Sequence, residues 1–215
     1  MKRLLLILIA LCVAVPSYAD DFMYFKKKAA GGGGPFSATD NFNRTENPLA
    51  TDNWATVTSC SNLRTQDGIK ASGTTGSVWN AAYWKNGTPS INQYSQTVAL
   101  NASAGNFGGP AVRMSTSANT YYVLGIMGTY WRIDKFIAGA QTTVVSAQTR
   151  TNNDGETWKL TASGTTTTTL EVFVGGGSLG TFNDTTNPIY SGDLRPGLAS
   201  YDYGAYWDDW VGGDL

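Results

Sequence analysis

The residues that could do chemistry in this sequence are few, and histidine is not among them. The absence of histidine from all 215 residues excludes Ser-His-Asp and Cys-His nucleophiles and the commonest zinc ligand. Glycoside hydrolysis would need two carboxyl groups about 5 to 10 Å apart. Glu46, Glu156 and Glu171 lie far apart in the sequence. Asp208 and Asp209 are adjacent and would point to opposite faces of a strand. We therefore expect no hydrolytic acid–base pair.

A lyase is the enzymatic alternative, because tyrosine and arginine can transfer protons without histidine. Its candidates lie on predicted central strands and are Arg113, Arg132, Tyr121 and Tyr122. The other interpretation of Arg132 is a solvent-facing strand residue paired with Asp134. We expect a binding protein rather than an enzyme, and the lyase stays open.

Aromatic residues are the main candidates for binding, since the chain has seven tryptophans and eleven tyrosines. Aromatic rings stack on the apolar face of a sugar ring, and amides and hydroxyls bind its hydroxyl groups. The same rings could instead pack in a core or cap a sheet edge. The carbohydrate-binding candidates are those at or near predicted loops: Tyr83, Trp84, Tyr130, Trp131, Tyr203 and Tyr206. We assign Trp54, Trp158 and Trp207 to the core.

Short β-strands must position these residues. Between residues 131 and 137, Trp131, Ile133 and Ile137 alternate with Arg132 and Asp134. Because successive side chains of a strand point to opposite faces, this pattern predicts a strand with one side facing water.

This strand belongs to a predicted antiparallel meander. Tyr121–Met127 precedes it and Thr142–Ala147 follows it, both rich in β-formers. Gly128-Thr129 predicts a type II′ turn between the first two strands, and Gly139-Ala140 marks the next turn. We expect the meander to form the middle of one large sheet.

The rest of the chain shows the same signals. Asp67-Gly68 predicts a hairpin, and residues 94–100 alternate between the two faces of a strand. Leu170, Val172 and Val174 share one face of another strand, and Leu170, Val172, Ile133 and Trp158 are predicted to be core. About a dozen such strands without a long amphipathic helix predict an all-β, antiparallel two-sheet β-sandwich.

The N-terminal residues 1–19 are typical of a secretory signal peptide. Lys2-Arg3 is a basic start, Leu4–Val15 is apolar, and Ser17-Tyr18-Ala19 fits a cleavage site. The apolar run is too short to cross a bilayer. We expect cleavage before Asp20 and a secreted or extracellular-surface location, the alternative being a buried N-terminal element.

Three segments follow from this interpretation: a signal peptide at 1–19, a flexible Lys/Gly-rich linker at 20–35 and a sandwich domain at 36–215. Without the signal peptide the 15 basic residues fall to 13, against 16 acidic residues, a net charge of −3. This balance argues against nucleic acid as a partner. The Lys26–Lys28 run is either solvated or in contact with an anionic surface. Cys60, the one cysteine left, is either an inert thiol or an intermolecular bridge.

Several segments of the predicted domain carry a resemblance. They are Asp40–Arg44, Trp131-Arg132-Ile133 with Gly139, Trp158-Lys159-Leu160 after Gly155, Leu170–Gly175, and Ala205–Trp210. Together they resemble the laminin-G-like jelly roll of the concanavalin A-like lectin and glucanase superfamily, over residues 36–212. The resemblance implies a jelly-roll fold. The superfamily includes lectins, glycoside hydrolases, polysaccharide lyases, and adhesion and virion modules, and its glycosidases carry a Glu-x-Asp-x-x-Glu strand that nothing here matches.

The resemblance also implies a candidate calcium site. First and last strands of such jelly rolls often pair, which would bring Asp40 near Asp208 or Asp209. Calcium takes several oxygen ligands, including carboxylates. The alternative is a set of solvated edge carboxylates, and we predict no other cofactor.

Two functions remain compatible with the sequence. The first is a secreted, non-catalytic glycan-binding or adhesion module whose partner is a polysaccharide or cell-surface glycan. The second is a structural surface or virion decoration protein that uses the jelly roll as a scaffold and can self-assemble. A surface poor in charge, with 14% charged residues, suits both.

Overall fold

The computed structural model describes residues 35–49, 53–102 and 107–215, and the predicted signal peptide and nearly all of the predicted linker lie outside them. The strands of the described residues form two antiparallel sheets packed as a β-sandwich. Among these residues, no helix is long and apolar enough to cross a membrane.

One sheet has eight strands within the described residues. Seven of them lie in the spatial order β13 (Gly177–Asp184), β12 (Thr168–Val174), β11 (Glu156–Ser163), β6 (Gln93–Ala99), β15 (Trp207–Asp214), β4 (Lys70–Gly73) and β3 (Leu63–Gln66). The first strand, β1 (Ser37–Asp40), pairs with the last strand, β15. The two ends of the domain are therefore joined, as the resemblance implied.

The other sheet has seven strands within the same residues. Their spatial order is β10 (Ala140–Thr149), β9 (Tyr130–Ile137), β8 (Tyr121–Met127), β7 (Gly108–Ser115), β14 (Leu194–Ser200), β5 (Asn80–Trp84) and β2 (Trp54–Thr56). The predicted meander is confirmed as β8–β9–β10, but its place in the middle of a sheet is wrong. It forms one side of the seven-stranded sheet, and β10 is an exposed edge strand.

The two turns of the meander differ in how well they were predicted. Ala138 and Gly139 both have positive φ, 50° and 87°, so this turn lies one residue earlier than predicted. Gly128 is not among the described residues with positive φ. The type II′ prediction is therefore wrong, since that turn requires positive φ at its first central residue. Asp67 and Gly68 do turn the chain with positive φ between β3 and β4.

The main core lies between the sheets and confirms the predicted inward faces. Ile133, Leu170 and Val172 are fully buried there. The three tryptophans assigned to the core are also buried: Trp54, Trp158 and Trp207.

The alternation predicted that the outer face of the seven-stranded sheet is exposed to solvent, but much of this face is buried. Asp134 on this face is fully buried, whereas Ile137 is 38% exposed at the end of its strand. A second hydrophobic cluster covers the sheet here, made of Val57, Ala81, Ala111, Met114, Tyr121, Val123, Phe136 and Ala199. Trp79 and Cys60 pack over this cluster. The chain preceding β5 thus shields an area that a simple sandwich leaves to water.

Candidate functional site

A cleft of about 480 Å³ opens beside Trp79 on the outer face of the seven-stranded sheet. Residues directly opposite each other on neighbouring strands share a face. Tyr130 pairs with Met127, and Arg132 pairs with Gly125, so these side chains belong to the face away from the main core. The lining consists of four aromatic residues, Trp79, Phe107, Tyr130 and Tyr201, and of Met127, Arg132, Gln141 and Asp202. This volume is within the range of small-ligand sites, about 300 to 1,000 Å³.

Trp79 is the centre of the aromatic side of the cleft. Its ring makes edge contacts with Phe107 at 5.5 Å and with Tyr201 at 5.6 Å between centroids. A third edge contact, with Phe136 at 4.9 Å, ties Trp79 to the hydrophobic cluster below. Trp79 remains half-buried and Tyr201 is 42% exposed. The rings are thus held by one another while part of their surface faces solvent.

Phe107 lies directly on Gly125 of β8. A Cβ atom at position 125 would be 1.8 Å from Cζ of Phe107, far closer than two carbon atoms can approach. Glycine is therefore required at this position for the phenyl ring to pack against the strand. The guanidinium carbon of Arg132 is 4.4 Å from the centroid of the same ring, within the range of a cation–π contact.

The polar side of the cleft is organised by Asp134, two residues beyond Arg132 and on the same face of β9. Its Oδ2 accepts hydrogen bonds from Nε of Arg132 and Nε2 of Gln141, each at 2.9 Å. Its Oδ1 accepts one from the hydroxyl of Thr143 at 3.0 Å. Arg132 and Gln141 come from neighbouring strands, β9 and β10. One buried carboxylate thus orients both N–H donors of the cleft wall.

Asp202 supplies the carboxylate at the opposite rim. Ser200 fixes this turn by donating from its hydroxyl to the backbone carbonyl of Asp202 at 2.6 Å. Oδ1 of Asp202 accepts the backbone N–H of Tyr203 at 2.6 Å. A Cβ atom at Gly76 would lie 2.7 Å from the ring of Tyr203 and 3.2 Å from Oδ1 of Asp202. A glycine in the β4–β5 connection therefore lets the turn pack closely.

Of the six aromatic residues predicted to bind carbohydrate, Tyr130 lines the cleft. Tyr203 is 57% exposed and follows Asp202 in the chain, but it is not among the described lining residues. Tyr83 is half-buried against the second hydrophobic cluster. Tyr206 lies under Nζ of Lys70, 4.2 Å from its ring centroid, and its hydroxyl accepts a hydrogen bond from Gln66.

The structure turns the other two predicted residues toward the main core. Trp131 is 4% exposed and contacts Phe182 there. Trp84 stacks on Trp210 with centroids 5.4 Å apart and meets the edge of Trp54. Both occupy inward positions of their strands, with Trp131 buried and Trp84 partly buried.

Sequence reasoning missed Trp79, Phe107 and Tyr201. Trp79 lies just before β5, Phe107 just before β7, and Tyr201 just after β14. Each is an aromatic residue at a strand end, next to a turn or a glycine-rich segment, which is the one signal that could have pointed to them. Their convergence depends on strand order, which the sequence does not state.

The candidate calcium site is only partly assembled. The carboxylate of Asp40 accepts hydrogen bonds from both terminal nitrogens of Arg44, at 2.6 and 2.8 Å, and from Nε1 of Trp54 at 2.6 Å. The carboxylate of Asp208 accepts a hydrogen bond from the backbone N–H of Asp209. The pKa of Asp208 is raised, because burial raises it by more than this hydrogen bond lowers it. Among the described residues no group of three or more acidic, cysteine or histidine side chains could hold a metal. Calcium binding stays a prediction, tested by whether millimolar calcium raises the melting temperature after chelation.

The residues considered for lyase chemistry do not share a site. Arg113, Tyr121 and Tyr122 are all fully buried, and Arg132 lines the cleft. Tyr122 donates to Oδ2 of Asp184, in contact with the main core. Burial raises the pKa of the Tyr122 phenol. The three buried side chains are therefore closed to a ligand, unlike Arg132.

Comparisons of the whole chain identify its architecture. No protein-family model matches the sequence, and no curated protein matches it. A glucanase (lichenase) structure from a mouse hindgut metagenome superimposes with a TM-score of 0.51 and 10% identity over 83% of this chain and 98% of that one. This chain has the concanavalin A-like fold. The agreement covers the sandwich from end to end and confirms the predicted jelly roll.

Two further structures share this concanavalin A-like sandwich. A protein of unknown function from Shewanella oneidensis MR-1 has a TM-score of 0.55 and 13% identity, over 83% of this chain and 85% of that one. A xylan β-1,4-xylosidase from Bacillus halodurans C-125 has a TM-score of 0.53 and 12% identity, over 82% of this chain but 39% of the xylosidase. At such low identity the likeness is one of fold. A shared fold does not decide a function, so function must be argued from the cleft.

Proposed function

We propose that this protein binds a polysaccharide or glycan in the Trp79 cleft and does not cleave it. The supporting observation is the pairing of exposed aromatic surface on Trp79, Tyr130 and Tyr201 with polar groups of Arg132 and Gln141. Aromatic faces complement the C–H face of a sugar, and the polar groups complement its hydroxyls. Two structures with the same fold, a xylan xylosidase and a glucanase, are named for polysaccharide substrates, which fits this ligand class.

Binding without hydrolysis is supported by the carboxylates of the cleft. Asp202 is the carboxylate among the described lining residues. The nearby Asp134 is fully buried and accepts three hydrogen bonds. Hydrolysis of a glycoside needs one carboxyl group to protonate the leaving group and a second to act as base or nucleophile. Among the described lining residues, the cleft thus has one of the two carboxyl groups that hydrolysis needs.

The affinity of one cleft should be weak. Stacking on a few rings with a few hydrogen bonds corresponds to a Kd between micromolar and millimolar, about 4 to 8 kcal/mol. Several copies on one surface would raise the overall affinity through avidity. Firm attachment to a polymer would therefore need multivalent display.

The test is a glycan array followed by titration calorimetry on the best ligand. Tyr201→Ala and Tyr130→Ala should each weaken binding about tenfold or more, because each removes a ring from the cleft. Tyr190→Ala is the matched control: Tyr190 is 46% exposed, much like Tyr201 at 42%, and is not a cleft residue. Release of reducing or unsaturated sugars that disappears in Arg132→Ala would contradict a non-catalytic role.

We also propose that the protein is exported, because the glycans that it would bind lie outside the cytoplasm. Export is supported by the signal-peptide pattern of residues 1–19. Mass spectrometry of exported protein should show a chain that begins at Asp20. Exported protein that retains Met1 would contradict this.

Assembly of copies into a surface structure is the second candidate function, favoured by β10. This ten-residue edge strand is mostly exposed and has no charged residue or proline, the usual guards against pairing with another chain. Light scattering should then show association of the wild-type protein, and Gln148→Lys should abolish it. Thr181→Lys, on the exposed edge strand β13 of the other sheet, is the control and should leave the association unchanged. A monomer at all concentrations would exclude this candidate.

A further inference from the structure

Asp134 is a buried charge, and two of its three hydrogen bonds come from side chains of the cleft wall. It is fully buried on β9, and its partners Arg132 and Gln141 both line the cleft. An isolated buried carboxylate is costly and is retained only when it is paired and hydrogen-bonded. Here the compensation comes from Thr143 and from the two side chains that a ligand would meet. Asp134 therefore acts on the ligand through them.

The geometry also determines which atoms Arg132 presents. Its Nε bonds to Asp134 at 2.9 Å, and its guanidinium carbon stacks 4.4 Å from the centroid of Phe107. Among the described residues, none accepts a hydrogen bond from Nη1 or Nη2 of Arg132. The planar guanidinium is thus held on one edge and one face, and its terminal nitrogens remain as donors for a ligand.

The charge balance of the cleft separates two classes of glycan. Arg132 is the cationic residue of the described lining, and its charge is compensated by Asp134 in an ion pair. Asp202 adds a negative charge at the rim. The negative charge of a uronate or sulfate would be repelled by Asp202 and would find no unpaired cation to bind. A neutral hydroxyl can still accept a hydrogen bond from the guanidinium of Arg132. The cleft therefore favours uncharged sugars.

We propose that Asp134 is the specificity-determining residue of the cleft: it makes Arg132 and Gln141 bind the hydroxyls of an uncharged glycan and excludes acidic glycans. This rests on the proposed glycan-binding function. Specificity of this kind arises from the unfavourable contact with acidic sugars as much as from the favourable hydrogen bonds to neutral ones. Removal of the Asp134 charge would convert Arg132 into a free cation of the type that recognises carboxylates.

The experiment compares neutral with acidic oligosaccharides of equal length. Cellohexaose, xylohexaose and laminarihexaose are the neutral probes, and hexagalacturonate and hexamannuronate are the acidic ones. The wild-type protein should bind a neutral probe about tenfold or more tightly than either acidic probe. Its Kd for that neutral probe should change less than about twofold when sodium chloride rises from about 20 to 500 mM, because no ionic contact is screened.

Asp134→Asn should shift the ratio of neutral to acidic affinity toward the acidic probes by about tenfold or more. A purely structural role would weaken both classes alike and leave the ratio unchanged, which would overturn the proposal. If Asp134→Asn does not fold, Asp202→Asn provides the second test. Removal of the rim charge should raise the ratio of acidic to neutral affinity by about threefold or more, and an unchanged ratio would contradict the charge argument.

The outcomes distinguish the two proposals. A wild-type protein that binds acidic probes more tightly contradicts the neutral specificity but leaves glycan binding in place. No binding to any probe or to a broad glycan array contradicts the proposed function itself, and the specificity with it.

Discussion

Arg113 illustrates how single polar residues are accommodated in this sandwich. It is fully buried and donates to the carbonyl oxygens of Ile91 at 3.0 Å and Gly164 at 2.7 Å, and to the hydroxyl of Thr168 at 2.7 Å. Burial lowers the pKa of Arg113. The cation is therefore held by neutral dipoles, and its loss would leave buried acceptors unpaired.

Gly125→Ala should destabilise the protein and disturb the cleft. The new Cβ would collide with the ring of Phe107, and such overpacking costs about 1 to 3 kcal/mol. Denaturant unfolding measures this cost, and glycan titration measures the cleft. Gly177→Ala is the control, because its Cβ would meet only the carbonyl oxygen of Val174 at 3.6 Å. Equal stability of the two variants would show that Phe107 does not lie on Gly125.

Cys60 should react slowly with alkylating agents in the folded protein. Burial raises the pKa of its thiol to about 11 from 9.0, and the reactive species is the thiolate. At pH 8 the thiolate fraction is then about 100-fold smaller than in the unfolded chain, and iodoacetamide labelling should slow accordingly. Mass spectrometry with and without urea gives both rates. Fast labelling of the folded protein would favour an exposed, bridge-forming cysteine instead.

Ion pairs at the ends of strands hold the elements in place. Nζ of Lys135 on β9 binds Oδ2 of Asp184 at 2.7 Å, and both side chains are buried. The hydroxyl of Tyr122 donates to the same oxygen at 2.7 Å and accepts the backbone N–H of Ile189. This network joins β8 and β9 to the segment that follows β13. The connection between β13 and β14 is thereby tied to the sheet.

Arg150 and Glu156 form a similar clamp between β10 and β11, and it should make stability depend on pH. Two parallel hydrogen bonds of 2.7 Å join them and lower the pKa of Glu156 from 4.5 to about 2. A lowered folded-state pKa means that the stabilisation is complete above about pH 4.5 and is lost as pH falls toward about 2.

Glu156→Gln should therefore flatten the fall in stability between about pH 4.5 and 2. Urea unfolding at a series of pH values measures the slope. Glu171→Gln is the matched control, since Glu171 accepts a hydrogen bond from Ser178 rather than from a cation. A variant that keeps the wild-type slope would show that the clamp does not control acid stability.

On the scale of the whole molecule, the two sheets depend on one continuous core. Val172 on β12 is fully buried between them. Val172→Asp would bury an unpaired charge and should cost several kcal/mol, about 3 or more. Thermal unfolding by circular dichroism tests this, with Gln148→Asp on exposed β10 as the control. An unchanged melting temperature for Val172→Asp would mean that the register of β12 is wrong.

Inward faces could be predicted only where apolar residues marked them. The alternation of Leu170 and Val172 identified the buried side of β12 correctly. On β6 three of the four buried residues are polar instead, Gln93, Ser95 and Thr97, and the fourth is Ala99. Ser95 donates to the carbonyl of Gly197 at 2.6 Å, and Thr97 donates to that of Asp208 at 2.8 Å. Polarity alone cannot mark such a face, because the partners that make its burial tolerable come from distant strands.

The sequence by itself determined the all-β sandwich, the turn at Asp67-Gly68 and the tryptophans of the core, because period-two alternation and turn chemistry are local properties. Only the tertiary structure decided where the cleft is. Trp79, Phe107, Tyr130 and Tyr201 come from strand ends far apart in the chain and meet because β5, β14, β7, β8 and β9 are neighbours in one sheet. Tertiary packing also decided that Asp134 is buried, since two of the three donors that stabilise its charge, Gln141 and Thr143, come from β10.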